Sequence, residues 1–363
     1  MLKIHEEKNI MIESALHAIK EEKKIYLYGC GEIGKNIAQI FAAQGIMVDG
    51  FVVDKKFWSA GETLENIPVL SIEDVLNSSG KKQIIVTHRD FKNENLQSYD
   101  SVQIINEDIF SFYFVDSDNN YMEYAFFEAN KEQFERFYEE LQDEKSKMCL
   151  EAFLNQKISG KLQYLRDVYE KNQYYDRKII DFSKMNTIVD CGAYDGDSYL
   201  SFLQNYKENV GKEYEGIAYL LEPNKKNCNL LKENCGRDTR CRIQRLGAWD
   251  QKDILTFSEN GTSSGIIEKG TISIQVDKID DVIDGNVDFI KMDIEGAEYK
   301  ALLGAEKSIK HSHPVLAICV YHKKRDLLEI PNLIKSFCSE YKFYLRAYSK
   351  YSQELVLYAV CES

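Results

Sequence analysis

The sequence predicts an α/β protein in two parts, a smaller N-terminal Rossmann-like domain and a fuller C-terminal sheet that closes with an antiparallel hairpin. Three observations carry this reading. Short apolar strand patterns alternate with helical ones in both halves, and a glycine turn follows the first strand of each. The last two strand patterns, by contrast, have only a short turn between them. Strands separated by helices imply right-handed crossovers and a parallel sheet, whereas a short turn makes an antiparallel pair.

At 363 residues two domains are expected. The segments are 1–116, a Rossmann-like domain; 117–180, a helical connector; and 181–363, the second domain. In the first, 25–28, 47–53, 83–87 and 102–105 read as strands and 33–43 as a helix. In the connector, Phe126, Phe127, Phe134, Phe137, Tyr138 and Leu141 recur at helical steps, and a second helical stretch over 148–169 breaks near Ser159 and Gly160. Being amphipathic rather than rich in Gly and Pro, it is expected to pack on the second domain instead of tethering it loosely. There, 187–190, 217–222, 242–246, 288–293 and 315–320 read as strands, with helices over 198–209, 224–234 and 297–310. The hairpin strands are 343–348 and 354–360.

Composition narrows the function. A net charge of -13 argues against a nucleic-acid partner, which needs a basic face. The 9 cysteines follow no zinc or disulfide spacing and read as reduced thiols. His311 and His313 fall in a turn. The N-terminus lacks the unbroken apolar run of a signal peptide, and no window approaches the roughly 18 apolar residues of a membrane span, so a cytoplasmic protein is expected.

The chemistry concentrates in the second half. Asp190-Cys191-Gly192-Ala193-Tyr194-Asp195-Gly196-Asp197-Ser198 follows a strand and opens a helix. Its glycines permit a tight turn and close backbone approach, and the helix start offers free N–H groups. The three aspartates repel a pyrophosphate but suit a cationic ligand such as S-adenosylmethionine. Glu222, ending the next strand, is placed to accept hydrogen bonds from two ribose hydroxyls. Further on, Asp293 leaves a strand at the edge where open α/β sheets bind ligands, with Glu295 two residues later and Gly296 at the turn. These carboxylates can serve as a base toward a hydroxyl or hold a divalent cation; as alternatives, they cap the helix, and Glu298 complements its dipole. His322, also at a strand end, is a candidate base near neutral pH. Lys323 and Lys324 can attract an anionic substrate or simply be solvated, and Thr262-Ser263-Ser264-Gly265 reads as a polar loop able to cover a cofactor.

These segments resemble the FkbM-type methyltransferases, whose hallmark is a Lys-apolar-Asp-apolar-Glu-Gly-Ala-Glu block, here Lys291 to Glu298. The similarity also takes in Asp190 to Ser198, Glu222-Pro223-Asn224, Gly247-Ala248-Trp249, Val320 to Lys324, Leu355 to Ala359 and the lead-in Gln173-Tyr174-Tyr175, covering roughly 140–360. The resemblance implies a class I methyltransferase sheet, with S-adenosylmethionine as donor and transfer to a hydroxyl of a sugar or small metabolite. By position it implies that Gly192, Asp195 and Gly196 hold the methionine part, Glu222 the ribose, and Ala248 with Trp249 the adenine. Asp190, Ala193, Ser198 and Asn224 complete the implied cofactor shell, and Asp293, Glu295 or His322 removes the acceptor proton.

In the first domain, Gly29-Cys30-Gly31-Glu32-Ile33-Gly34 fits G-x-G-x-x-G between a strand and a helix, and Asp54 ends the second strand. The segment, with Gly50-Phe51-Val52-Val53-Asp54 and Ile67-Pro68-Val69-Leu70, resembles the N-terminal domain of bacterial sugar O-acyltransferases, which implies a nucleotide or nucleotide-linked sugar at Gly29, Gly31, Gly34 and Asp54. The expected acceptor is a small molecule or glycan. Two other readings stand beside this one. They are an NAD(P)-dependent oxidoreductase using the N-terminal glycine loop, and a non-catalytic nucleotide-sugar-binding protein. The need for a metal and the oligomeric state are left open.

Overall fold

Parallel strands buried on both faces need apolar side chains above and below, and the strand segments of this chain supply them. The computed structural model describes residues 1–89, 91, 99–115, 121–257 and 272–361. The first third runs α1 (Ile10–Lys20), β1 (Lys24–Tyr28), α2 (Glu32–Ala43), β2 (Gly50–Val53), β3 (Thr63–Leu64), β4 (Ile67–Ser71), α3 (Ile72–Asn77), β5 (Lys82–Val86) and β6 (Val102–Ile105). These strands form a six-stranded sheet in the order β3-β4-β2-β1-β5-β6. Every pair is parallel except β3 with β4. Central β1 sends Ile25 and Leu27 to one face, against Met11, Ile37 and Phe41 of α1 and α2. Tyr26 and Tyr28 go to the other, against Ile72 and Val75 of α3. Asn9 caps α1 by accepting from the Met11 N–H, and Ser71 caps α3 through the Asp74 N–H.

The connector folds as α4 (Tyr124–Ala129), α5 (Lys131–Glu140), α6 (Glu144–Ser159) and α7 (Gln163–Arg166). Phe127, Phe134, Phe137 and Leu141 are buried in one core with the strands of the second half, so this stretch packs rather than tethers. Helix α6 starts at Asp143, which accepts from the Ser146 N–H, and stops at Gly160 in the left-handed conformation. It also binds the first half. Buried Lys157 donates to the carbonyls of Phe110 and Tyr113, both at 2.9 Å, and Gln156 donates to Asp108 at 2.9 Å.

The second half continues as β7 (Thr187–Cys191), α8 (Asp197–Val210), β8 (Ile217–Leu221), α9 (Lys225–Cys235), β9 (Cys241–Gln244), β10 (Gly247–Ala248), β11 (Asp253–Phe257), β12 (Ile272–Asp277) and α10 (Ile279–Val282). It ends as β13 (Phe289–Met292), α11 (Glu298–Leu303), α12 (Glu306–Ser312), β14 (Val315–Cys319), α13 (Asp326–Phe337), β15 (Lys342–Ala347) and β16 (Leu355–Val360). The main sheet has the order β15-β16-β14-β13-β7-β8-β9. Strand β16 runs antiparallel to both β14 and β15, which is the terminal hairpin read from the sequence. Among the described residues no helix is long and apolar enough to cross a membrane.

The elements differ from expectation in several places, α13 among them, which has no counterpart in the sequence reading. Strand 47–53 shortens to β2; ahead of it the Asp49 N–H donates to the Ile25 carbonyl while the Asp49 carboxylate, in place of a backbone carbonyl, accepts from the Ile25 N–H, both at 2.8 Å. Residues 67–71 form a strand, β4, although they carry Pro68; the proline lies on the β3 side, where only a two-residue ladder runs. The helix expected over 297–310 divides into α11 and α12 at Gly304, where a Cβ would stand 1.9 Å from the Trp249 carbonyl oxygen. A three-stranded sheet, β10-β12-β11, was not anticipated as a separate sheet. The expected junction at 116–117 and the polar loop Thr262 to Gly265 lie outside the described residues.

One ion-pair cluster fastens connector to hairpin. Buried Arg346 of β15 places Nη2 2.7 Å from Asp143 Oδ2 and Nε 2.9 Å from Asp176 Oδ2. Replacing Arg346 by Met leaves two carboxylates without their cation, and denaturant unfolding is expected to show a loss of about 3–5 kcal/mol. The triple variant R346M/D143N/D176N should recover part of it.

Candidate active site at the carboxyl edge of the second sheet

From β7 the chain proceeds to β8 and β9 on one side, then returns to β13 and β14 on the other. Crevices of open α/β sheets form at such a reversal, outside the carboxyl ends of the strands. Gly192, with φ +80°, turns the chain here, and a Cβ on it would stand 2.0 Å from the Asp293 carbonyl oxygen. Only glycine lets β7 and β13 close to this distance. The N–H groups of Gly192 and Ala193 both donate to the Leu221 carbonyl, at 2.9 and 3.1 Å, tying the loop to β8.

A cavity of about 430 Å³ opens at this point. One wall is formed by Gly192, Tyr194, Asp197, Ser198, Leu221, Glu222, Gly247, Ala248, Ile274 and Val276. Glu222 is buried, and its two oxygens accept from the Tyr194 and Asn224 N–H groups at 3.1 and 2.8 Å. Burial raises its carboxyl above the usual range, against those hydrogen bonds. Each oxygen keeps a lone pair for a further donor.

The opposite wall is formed by Tyr174, Lys291, Asp293, Glu295, Tyr321, His322 and Glu354. Lys291 Nζ lies 3.0 Å from Asp190 Oδ1 and donates to the Gly192 carbonyl at 2.8 Å. Burial alone would lower this ammonium, but Asp190 and Asp293 hold it above its usual range, so it stays charged. Asp293 accepts from the Tyr174 hydroxyl at 2.6 Å and the Tyr321 hydroxyl at 3.4 Å. Burial works against ionisation of Asp293, yet His322 and Lys291 hold it below the ordinary carboxylate range.

His322 is 2% exposed. Its Nδ1 lies 2.9 Å from Glu298 Oε1, and its Nε2 lies 3.4 Å from Asp293 Oδ1 and 3.7 Å from Glu295 Oε2. Burial alone would pull the imidazole down, but Glu298, then Asp293 and Glu295, carry it up to about 10. At neutral pH this shift favours the imidazolium, held among the three carboxylates. Glu295, held at φ +54°, is the group poised near neutrality. Burial pushes it up to about 7, Asp293, Glu298 and Glu354 act in the same sense, and His322 opposes them. One ligand-type atom each from Asp293, Glu298 and His322 lie within 4.8 Å of one another, a spacing a metal ion could use. Here both imidazole nitrogens face carboxylates.

The remaining expected site residues divide between lining and support. Gly192, Ser198, Glu222, Ala248, Asp293, Glu295 and His322 face the cavity. Asp190 stands behind it, paired with Lys291 and accepting from the Ser198 hydroxyl. Ala193 is buried, and Asp195 accepts from the Asp197 N–H while its carbonyl takes a hydrogen bond from Asn234. Gly196, with φ +96°, lets α8 start against α9, where a Cβ would meet Cys235 Sγ at 2.5 Å. Asn224 caps α9 through the Lys226 and Asn227 N–H groups. Trp249, just past β10, packs on Ile274 and Val276 of the small sheet. Lys324 lies over the Phe126 ring at 4.6 Å.

In the first sheet, Gly29 has φ +123° and Gly34 packs where a Cβ would stand 2.3 Å from the Gly29 carbonyl oxygen. Space around Gly31 is open, and Asp54 accepts from the Tyr28 hydroxyl at 2.5 Å. Two residues from this half reach the cavity and were not foreseen: Arg89, just past the carboxyl end of β5, and Tyr113. Arg89 carried a readable signal as a cation at a strand end. Tyr113 carried none, because it arrives through the packing of α6. Tyr174 and Lys291 stood inside quoted motifs without a role.

Residues 190–343 match the model of the methyltransferase FkbM domain. This segment is an FkbM methyltransferase domain. No curated protein sequence matches the chain. Among solved structures, the crystal structure of methyltransferase FkbM from Methylobacillus flagellatus KT aligns over 97% of this chain and 94% of that one, with a TM-score of 0.73 at 22% identity. What is shared at that identity is the fold. The O-methyltransferase from Bacillus cereus in complex with SAH overlaps 49% of this chain and 73% of its own, with a TM-score of 0.30 at 14% identity. A putative rRNA-methylase from Clostridium thermocellum overlaps 56% and 94%, with a TM-score of 0.32 at 10% identity. Within the FkbM domain, Gly192→Ala should cost more than the roughly 1–3 kcal/mol of left-handed strain, because the added methyl also collides with backbone. Thermal melts should show the loss.

Proposed function

We propose that the protein transfers a methyl group from S-adenosylmethionine to a hydroxyl of a sugar, free or nucleotide-linked. The observation that carries this reading is one cavity joining an acidic strand end, Glu222, to a carboxylate pair, Asp293 and Glu295, across Gly192. The residues fit the donor. Gly192 lets backbone approach a ligand, Glu222 keeps two lone pairs for ribose hydroxyls, and Ala248, Ile274 and Val276 offer an apolar slot for a purine. Asp197, Asp293, Glu295 and Glu354 favour a cation.

When bound, the donor supplies an electrophilic methyl on a sulfonium. The protein's own contribution is alignment, which in favourable cases lowers a barrier by about 7–11 kcal/mol, and removal of the acceptor proton. Glu295 is the group assigned to that proton. Asp293 is held anionic by His322 and Lys291 and fixed by Tyr174, so it orients and stabilises positive charge. His322 keeps three carboxylates together without giving or taking a proton at neutral pH. The proposal extends to a nucleotide-type ligand at Gly29, Gly31, Gly34 and Asp54, where Gly31 leaves open space.

Calorimetry checks the donor site. Glu222→Ala is expected to weaken S-adenosylhomocysteine binding about tenfold or more, since hydrogen bonds to a charged group contribute about 1.5–3 kcal/mol. Equal affinity in the variant, or a chain protected by NADH and not by S-adenosylhomocysteine, overturns the assignment.

The base assignment makes a pH test. Glu295 faces His322, Asp293, Glu298, Glu354 and Tyr113, so its proton affinity is set by their sum. Its carboxylate form dominates above about 7, so kcat/KM for the donor should rise with pH and level off there. A bound sulfonium favours the carboxylate, so kcat should level off at lower pH. In Glu295→Gln this limb should vanish and kcat fall by about 100-fold or more. An unchanged profile in that variant transfers the role elsewhere.

A further inference from the structure

We propose that Arg89 of the N-terminal half reads an anionic group on the acceptor, so that the methylated compound carries a phosphate or carboxylate beside its hydroxyls. The inference rests on the methyltransferase reading above and names the substrate class for that site.

Three observations support it. Arg89 lines the cavity, yet among the described residues it has no carboxylate partner; its Nη2 donates to the amide oxygen of Gln353 at 2.5 Å. The other cations of the lining are consumed, Lys291 by Asp190 and His322 by Glu298 and its neighbours. Second, the guanidinium is held in place before any ligand arrives. It lies over the Phe110 ring at 4.8 Å and the Tyr351 ring at 5.8 Å, and the Tyr351 hydroxyl donates to its carbonyl at 3.2 Å. A planar cation stacked on rings and bonded on one edge keeps its other N–H groups for a ligand, in a fork that matches carboxylate and phosphate oxygens.

Third, its position belongs to the acceptor end. Gln353 precedes Glu354, a lining residue whose carboxyl is raised by burial and by Asp293. The donor wall at Glu222 and Ala248 lies on the β8 side of the reversal point, whereas Glu354 leads into β16 beyond β13 and β14. A cation there with no carboxylate partner among the described residues, in a cavity that also presents Asp197, Glu222, Asp293, Glu295 and Glu354, favours an acceptor with one negative group at that end and neutral hydroxyls at the other. Arg89 also follows β5, whose Val86 is in register with Tyr28, the residue before Gly29. The N-terminal glycine turn and Arg89 therefore share one sheet edge.

The full-length chain is first titrated with S-adenosylhomocysteine, then, saturated with it, with UDP-glucose, glucuronate and glucose. At least one anionic probe is expected to bind about tenfold or more tightly than glucose. UDP-glucose alone identifies a phosphate, and glucuronate alone a carboxylate. Arg89→Met keeps an apolar stem against Phe110 and Tyr351 and removes the charge; it should abolish the preference while leaving S-adenosylhomocysteine affinity and the melting temperature unchanged. Arg89→Lys should restore part of it. Glucose binding as well as the anions, no binding of either anion to the saturated chain, or an intact preference in Arg89→Met each overturns the proposal. Failure of the methyltransferase reading shows separately, as no heat in the first titration.

Discussion

A single buried ammonium, Lys291, holds the carboxyl ends of β7 and β13 in one arrangement. It pairs with Asp190, the residue opposite it in the parallel ladder, and reaches over to the Gly192 carbonyl. With both partners at 4% side-chain exposure, water compensates neither charge. The pair is therefore worth less as a source of stability than as a constraint, because any arrangement that separates the strands leaves a bare charge inside. The constraint acts where it matters. Gly192 must turn, Asp293 must sit against it, and the crevice between β7, β8 and β13 takes its shape from that contact.

Around this anchor the second half gathers more negative charge than it neutralises. Asp293, Glu295, Glu298, Asp326 and Glu354 surround His322 and Lys291. The structure resolves the excess in two ways. His322 is kept protonated, which lets Asp293 remain ionised, while burial keeps the proton affinity of Glu295, Asp326 and Glu354 high. A site that stores negative charge against its own desolvation is prepared for a positive ligand, and the proposed sulfonium donor with its ammonium group meets that need. The same balance separates roles that sequence order left together: of Asp293, Glu295 and His322, one is a fixed anion, one a titratable carboxyl and one a fixed cation.

Much of this was readable from the chain because it is local. A glycine loop between strand and helix, an acid at the next strand end and a carboxylate block after β13 all follow from residues a few positions apart. The alternation of strand and helix likewise gave the sheet and the closing hairpin. What escaped reading depends on contacts distant in sequence. Gly196 and Gly192 look alike in the loop, yet one admits α8 against Cys235 and the other admits β13. Trp249 is expected beside Ala248 at a purine, and its ring packs against Ile274 and Val276 of the small sheet, a contact that sequence order does not announce. The contact of His322 with Glu298, 24 positions earlier and 2.9 Å away, is likewise invisible in the linear order.

The least legible feature is the part the N-terminal half plays in the site. Its last segment is stitched on both sides. Lys157 of α6 holds the carbonyls of Phe110 and Tyr113 from behind, and the Val115 N–H donates to the His322 carbonyl at 2.8 Å in front. Gly296 is tight for the same reason, since a Cβ there would stand 2.5 Å from Val115 Cγ2. Burying a lysine without a carboxylate in direct contact is costly, and burial lowers this one to about 7 although Asp108 opposes the fall. Such a residue makes physical sense as a tether that fixes Tyr113 against the cavity. The first sheet is thus a wall of the same chamber, with its Arg89 edge turned toward the strand ends of the second. A chamber closed by two such edges divides its labour by geometry: under the proposed function the second sheet grips the donor and the reacting hydroxyl, and the part of the acceptor beyond that hydroxyl lies against the first.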